Sequence, residues 1–319
     1  MRFGIIGFGE FAEKAILPGI RSSGVADVTA LQKRSLEAAQ AKASEHSIPH
    51  AFSSVQDLVN HADVDAVFIV SANSEHAKET IAAAKAGKHV LVEKPMATTV
   101  AQAEKMVRVC KDQNVTLMVG NMVRLSPVVT RIKSLIASGF IGPLVHISSE
   151  FFYDHRKSRR SWLFDKKIAG GGPVHDIGVH CLDTIRFIVE DEVADVRGVV
   201  SPRPTATATE RTSSTSLLFE GGVTASIYSS FDGPYRRSFI EARGSEGTIS
   251  AFDFTKSGVV VHLHKVRGIN GEPNMPEVEE IAVPFLYAEE VRQFVSAIQN
   301  GTPPPITGDV GIINQRILD

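Results

Sequence analysis

The stretch Lys88-His89-Val90-Leu91-Val92-Glu93-Lys94-Pro95 decides how this chain is read. Val90, Leu91 and Val92 form a short apolar run of the kind found in a buried parallel strand. Pro95 has no N–H for a ladder and restricts the residue before it, so Lys94 is fixed at the strand's carboxyl end. In an open α/β sheet that end is where ligands bind. A lysine there, next to the acid Glu93, can donate a proton or hold a developing alkoxide. The plainer reading is a surface lysine in a turn.

Upstream, apolar residues 2–6 run into Gly7-Phe8-Gly9-Glu10-Phe11-Ala12, and a helical stretch follows at 13–21. This is G-x-G-x-x-A between a strand and a helix. Gly7 permits the tight turn, Gly9 lets backbone approach a pyrophosphate, and Ala12 keeps helix and strand close. Phe8, Glu10 and Phe11 thereby join the expected cofactor-binding set, with the helix N-terminus offering amides to the anion. Alone, such a motif is only a glycine-rich turn; its place after a strand and before a helix makes it a dinucleotide fingerprint.

The second strand, at 28–31, ends in Gln32-Lys33-Arg34-Ser35. An NAD site usually has an acid there for the ribose 2′-hydroxyl. Lys33 and Arg34, with the Ser35 hydroxyl, instead suit a 2′-phosphate, so NADP is expected ahead of NAD. A solvated basic turn is the alternative. Another strand at 66–70 leads to Ser71-Ala72-Asn73-Ser74-Glu75-His76, with Ser74 read as the N-cap of an alanine-rich helix at 77–86. Ser71, Asn73 and His76 then sit at a strand's carboxyl edge on the nicotinamide side, although capping would also explain Asn73 and simple exposure His76. With a helix at 100–111 and a strand at 116–120, the alternation argues a doubly wound parallel sheet.

Past residue 122 the pattern changes, which predicts domains at 1–122 and 123–319. A helix at 128–137 and a strand at 144–153 precede a basic, aromatic loop at 154–162 and the run Gly170-Gly171-Gly172-Pro173. Strand-like runs at 193–201, 212–219, 223–230, 236–243, 247–252, 258–264 and 278–283 predict an α+β domain with a large, open, mostly antiparallel sheet. Residues 287–299 read as an amphipathic helix. In the helix at 174–189, Asp176 and His180 are four residues apart and share a face. A carboxylate beside an imidazole can orient it and favour its charged form; a capping aspartate plus a core histidine is the alternative.

Composition sets the bounds. Net charge is −2 over 319 residues, leaving no bulk electrostatic footprint for nucleic acid. Two cysteines, Cys110 and Cys181, argue against a disulfide framework or a cysteine-rich metal site, so no metal is expected and a reducing cytoplasm is. No apolar run reaches membrane-spanning length, and the first residues read as a strand, not a signal.

Four motifs together resemble the glucose–fructose oxidoreductase/inositol dehydrogenase (Gfo/Idh/MocA) family. They are Gly7-x-Gly9-x-x-Ala12, the 86–95 stretch ending Glu93-Lys94-Pro95, Arg124-x-x-Pro127, and Gly170-Gly171-Gly172 through Asp176-x-x-x-His180. The resemblance covers essentially the whole chain. It implies a Rossmann domain followed by an α/β domain whose open sheet often forms an oligomer interface. It also implies Lys94, Asp176 and His180 as the catalytic set, Glu93 and Lys94 among the cofactor contacts, a cis Lys94–Pro95 bond, and a last helix running past Asp319. One departure, besides the missing ribose acid, is Leu163 where an arginine commonly follows the tryptophan.

The expectation is an NAD(P)-dependent oxidoreductase, NADP-preferring, acting on a secondary alcohol or ketone of a sugar, polyol or related small molecule. Substrate contacts are expected among Arg124, Tyr153, His155, Arg156, Arg160, Trp162 and His175, along with Asp176; Arg159 adds charge to the same loop. The expected partner is a further copy of the chain, as a dimer or tetramer through the C-terminal sheet. Two rivals are a non-catalytic NADP(H)-binding regulator and a nicotinamide-assisted glycosidase.

Overall fold

The computed structural model describes residues 1–157, 160–269 and 272–319. Two compact units result: Met1–Asn121 with Tyr287–Ile317 and Asp319, and Met122–Leu286 with Leu318.

In the first unit, strands β1 (Arg2–Ile6), β2 (Asp27–Gln32), β3 (His50–Phe52), β4 (Ala66–Ile69), β5 (His89–Glu93) and β6 (Leu117–Gly120) form one parallel sheet in the order β3-β2-β1-β4-β5-β6. Every residue of β4 and β6 is buried, as a strand covered on both faces requires. The crossover helices are α1 (Leu17–Ser22), α2 (Leu36–Glu45), α3 (Val55–Asn60), α4 (Asn73–Lys85) and α5 (Val100–Asp112). Ser35, Ser54 and Thr99 cap α2, α3 and α5 by accepting an amide two or three residues into the helix. Ser74, expected as the cap of α4, lies inside it. The extended residue is Ala72, and Asn73 and His76 are buried in the helix's first turns.

The last helices correct the expected domain boundary. After α6 (Pro127–Ala137), α7 (Lys166–Ala169) and α8 (Val179–Val189) of the second unit, α9 (Leu286–Asn300) and α10 (Gly308–Leu318) return to the first. The reason is apolar packing: Phe294 meets Phe3 of β1 at 5.9 Å between ring centroids, and Tyr287 closes over Gly19. The segment between α9 and α10 also bonds to β6, Val119 N–H donating to the Ile306 carbonyl at 3.0 Å.

The second unit is built on strands β7 (Leu144–Asp154), β8 (Val193–Ser201), β9 (Thr212–Phe219), β10 (Thr224–Ser230), β11 (Asp232–Gly244), β12 (Gly247–Phe252), β13 (Val259–Ile269), β14 (Glu272–Pro273) and β15 (Glu277–Val283). The order is β14-β13-β12-β11-β7-β10-β9-β8, with β15 on β13. Only β7 and β10 pair in parallel among these strands. Alternation buries one face, with Ile147, Ile227, Ile240, Ile249 and Leu263, and leaves Leu218, Tyr228, Phe252 and Val260 exposed on the other.

Candidate active site

The first unit presents its candidate groups at the carboxyl ends of β1, β2, β4 and β5. Gly7 has φ +82°, and a Cβ there would come within 2.6 Å of the Ser71 backbone. Gln32 locks this turn. Its Oε1 accepts the Gly7 N–H at 3.2 Å, its Nε2 donates to Ser53 O at 3.1 Å, and its carbonyl accepts the Phe8 N–H at 2.9 Å. A Cβ on Gly9 would meet only Gly7 O, at 3.8 Å, so the backbone is open on that side, the approach a pyrophosphate needs. Phe8 is buried. Glu10 points outward to Lys14, and Phe11 lies edge-on to Tyr287.

The basic pair divides. Lys33 donates to the Phe8 carbonyl at 2.6 Å and is half-buried, whereas Arg34 is exposed and Ser35 caps α2. Burial, with Lys42 adding repulsion, lowers the Lys33 pKa from its ordinary range.

A buried polar relay runs behind the turn. Ser71 Oγ donates to Glu79 Oε2 at 2.5 Å, and burial lifts the Glu79 carboxyl to about 7. His76 faces two carbonyls, Pro95 O at 2.9 Å from Nδ1 and Ser71 O at 3.2 Å from Nε2. Burial drives its pKa down to about 4, so the ring is neutral and its single N–H serves one carbonyl at a time. Half-buried Lys94 follows β5, and the Lys94–Pro95 bond is cis. Glu93 Oε2 accepts the Lys94 N–H at 3.2 Å.

The second unit gathers its own cluster. Tyr153 Oη donates to Asp176 Oδ2 at 3.0 Å. Arg160 reaches Asp176 Oδ1 at 3.3 Å and Tyr153 Oη at 3.2 Å. Burial, then the Asp176 charge, holds the Tyr153 phenol far above its usual range, so it acts as a neutral donor. His155 packs on Phe164 and Phe231 at 4.4 and 5.0 Å. Asp176 lies in a π-helical turn, Val174–Gly178, that opens α8 and carries the chain to buried His180. The glycine run permits this: a Cβ on Gly172 would strike Glu210 O at 2.1 Å, and Glu210 accepts the Gly172 N–H at 2.9 Å. His175 is buried against Gly171.

Other expected contacts lie elsewhere. Arg124 forms a bidentate pair with Asp183, at 2.9 and 2.6 Å, inside the unit. Arg156 pairs with Asp154 with its side chain 76% exposed, and Trp162 sits half-buried in a short 3₁₀ turn. Arg159 lies outside the described residues. Leu163 is fully buried, so the family's arginine is replaced here by a core side chain. Gln32, Glu79 and Glu210 escaped the sequence reading. Glu79 is an acid on a helix's core-facing side, a detectable anomaly; Glu210 gave no signal, because its partner is 38 residues away. Two clusters of metal-ligating side chains also occur, His50/His61/Asp63 and Glu13/Glu45/His46, but Arg2 pairs with Asp63 and Lys42 with Glu13.

Comparison with known proteins decides the family. Residues 1–121 match the oxidoreductase family described by its NAD-binding Rossmann fold, and residues 129–250 match the GFO/IDH/MocA C-terminal domain. A 1,5-anhydro-D-fructose reductase from Ensifer adhaerens is 30% identical over 98% of this chain and 92% of its own length. The chain belongs to the Gfo/Idh/MocA family. It is therefore an NAD(P)-dependent oxidoreductase built on the two-domain fold of that family. An NADP(+)-dependent D-xylose 1-dehydrogenase from Haloarcula marismortui is 29% identical over 98% of this chain and 88% of its own. An aldose-aldose oxidoreductase from Caulobacter crescentus, solved with glycerol, superimposes with a TM-score of 0.88 at 26% identity, covering 100% of this chain and 95% of that one. No described helix is long and apolar enough to cross a membrane.

Proposed function

We propose that this chain interconverts a secondary alcohol and a ketone on a sugar, polyol or related small molecule, with NADP(H) preferred over NAD(H). The observation that carries the substrate class is the Tyr153–Asp176–Arg160 cluster: a phenol, a carboxylate and a guanidinium within 3.4 Å of one another, with aromatic rings beside them. That set offers directional donors and acceptors to hydroxyl groups and an apolar wall to ring carbons. The named sugar enzymes among the relatives support the same class.

The cofactor, when bound, supplies or accepts the hydride. The turn Gly7-Phe8-Gly9 lets the pyrophosphate approach the amides of Glu10 and Phe11 at the start of the following helix, Arg34 reads the 2′-phosphate, and Ser71 and Asn73 border the nicotinamide end. Lys94 and His180 handle the substrate hydroxyl proton, with Asp176 orienting the substrate. His76 serves this set indirectly, holding the Pro95 carbonyl beside Lys94. The exposed apolar face of the second sheet supports a homo-oligomer. Two buried free cysteines suit the cytoplasm.

The test is a sugar and polyol panel read by reduced-nicotinamide absorbance with both cofactors. Net absorbance change is expected; turnover without it favours the glycosidase rival. On the best substrate, Lys94→Ala and His180→Ala should each lower single-turnover hydride transfer about 10²–10⁴-fold, with cofactor Kd little changed. Wild-type transfer in Lys94→Ala would remove the catalytic assignment.

A further inference from the structure

Glu210 lies in the loop between β8 and β9, yet it is only 3% exposed. The loop is fixed against the segment that precedes the glycine run. Thr209 Oγ1 donates to the Leu163 carbonyl at 3.0 Å, Thr209 N–H to the Phe164 carbonyl at 3.2 Å, and Lys166 N–H to the Thr207 carbonyl at 3.0 Å. A buried carboxyl needs a partner. The one hydrogen bond that the Glu210 side chain makes among the described residues goes to main chain: Oε1 accepts the Gly172 N–H at 2.9 Å. Gly172 in turn bears on Asp176. Its carbonyl accepts both the His175 and the Asp176 N–H, each at 3.1 Å, and so anchors the start of the π-helical turn Val174–Gly178. Residue 172 has to be glycine, because a Cβ there would come within 2.1 Å of the Glu210 carbonyl oxygen. Glycine is also the residue that constrains its own backbone least, so the conformation at 172 is held from outside. Glu210 holds it on the amide side, and Pro173, at φ −61°, on the other.

We propose that Glu210 is a positioning residue for Asp176: its carboxyl oxygen fixes Gly172, the Gly172 carbonyl fixes the Asp176 amide, and the Asp176 side chain is thereby presented to Tyr153 and Arg160. This rests on the reading of Asp176 as the residue that orients the substrate. Every link of the relay is a hydrogen bond of 2.9–3.3 Å, and all of it lies within the second unit. Such bonds weaken steeply when their angle degrades, so a loosened Gly172 blurs the Asp176 geometry without touching the dinucleotide turn of the first unit. The arrangement explains why a loop between two strands carries a buried acid whose side chain bonds only to a backbone amide.

The experiment compares the NADPH-loaded enzyme with Glu210→Gln, which keeps an oxygen acceptor, Glu210→Met, which keeps length alone, Asp176→Asn, and the double variant Glu210→Met/Asp176→Asn. The probe is the sugar that gives the largest absorbance change in the panel above; kcat, KM and NADPH Kd are measured. Glu210→Met should raise KM about ten-fold at little changed kcat and unchanged NADPH Kd, and Glu210→Gln should recover most of the loss. In the Asp176→Asn background Glu210→Met should add nothing further, because it acts through that side chain. A merely structural contact lowers the active fraction, hence kcat, and leaves KM alone. That pattern, equal KM increases in the Gln and Met variants, or KM increases that multiply in the double variant, each overturn the proposal. Should Glu210→Met not fold, Glu210→Asp, whose shorter side chain withdraws the acceptor from Gly172, takes its place with the same outcomes. A raised KM in Asp176→Asn beside a wild-type KM in Glu210→Met defeats this inference only, whereas a wild-type KM in Asp176→Asn defeats the reading beneath it.

Discussion

The Lys33 ammonium donates to the carbonyl of Phe8, at 2.6 Å, and so ties the end of β2 to the glycine-rich turn. We infer a division of work between the two adjacent cations: Lys33 shapes the turn for either dinucleotide, and Arg34, exposed beside the start of α2, discriminates between them. Arg34→Ala should weaken NADPH about ten-fold or more, the worth of one charge-assisted bond, and leave NADH nearly unchanged. Lys33→Ala should weaken both by similar factors. Fluorescence titration of both variants with both cofactors checks this; a selective NADPH loss in Lys33→Ala would reverse the assignment.

Arg124 and Asp183 predict a stability effect. Their side chains are 10% and 1% exposed, and the Arg124 fork meets both carboxylate oxygens. Removing Arg124 takes the two-pronged contact from a buried carboxylate whose charge also acts on Arg186. Arg124→Ala should cost about 3–5 kcal/mol in unfolding, and Arg124→Lys should recover little because an ammonium lacks the planar fork. Urea denaturation of the two variants gives the answer. A loss below about 1 kcal/mol would mean water reaches the pair.

How much of this was legible in the sequence follows from how local each signal is. The parallel sheet announced itself in runs such as Ala66–Ile69, and the place of Lys94 in a proline that ends a strand. Arg124 read as a possible substrate contact because its partner lies 59 residues away. The return of α9 to the first unit was invisible for the same reason: an amphipathic helix states that one face is buried, not against what. Ser74 failed as a cap because Ala72 already takes the extended conformation and starts the helix earlier. That Lys33 turns in to the Phe8 carbonyl while Arg34 stays exposed needed the position of a carbonyl that no spacing rule supplies.

The cluster around Asp176 carries a prediction about substrate binding. Tyr153→Phe removes one hydroxyl that donates to Asp176 and accepts from Arg160. It should lower kcat/KM about ten-fold without changing cofactor affinity. Arg160→Ala removes one cation from the buried Asp176 carboxylate. Because Arg160 is 42% exposed, solvent limits the cost to about 1–2 kcal/mol, less than for a fully buried pair. Steady-state kinetics with thermal unfolding separates the two effects. A Tyr153→Phe enzyme with wild-type kcat/KM would move the substrate away from this cluster.

Glu79 predicts a pH dependence whose sign can be worked out. Its folded pKa, about 7, lies above its ordinary value of 4.5 because the carboxyl is buried. Between these values the folded chain holds the proton and the unfolded chain has lost it, so stability falls as pH rises through that window. Full stability is present below about 4.5 and the loss is complete above about 7, reaching ~3 kcal/mol. His76 acts oppositely. Its pKa is pushed down to about 4 from 6.5, so its stabilisation is lost as pH falls through that range. The raw pH profile of the wild type therefore mixes the two. Glu79→Gln isolates one, since His76 is common to both proteins and cancels in the difference. Near pH 5 the variant should match the wild type, with its amide in place of the protonated carboxyl beside Ser71. Above pH 7 it should be the more stable protein. Thermal unfolding of both across this range is the measurement, and a constant difference would show that Glu79 does not titrate on folding.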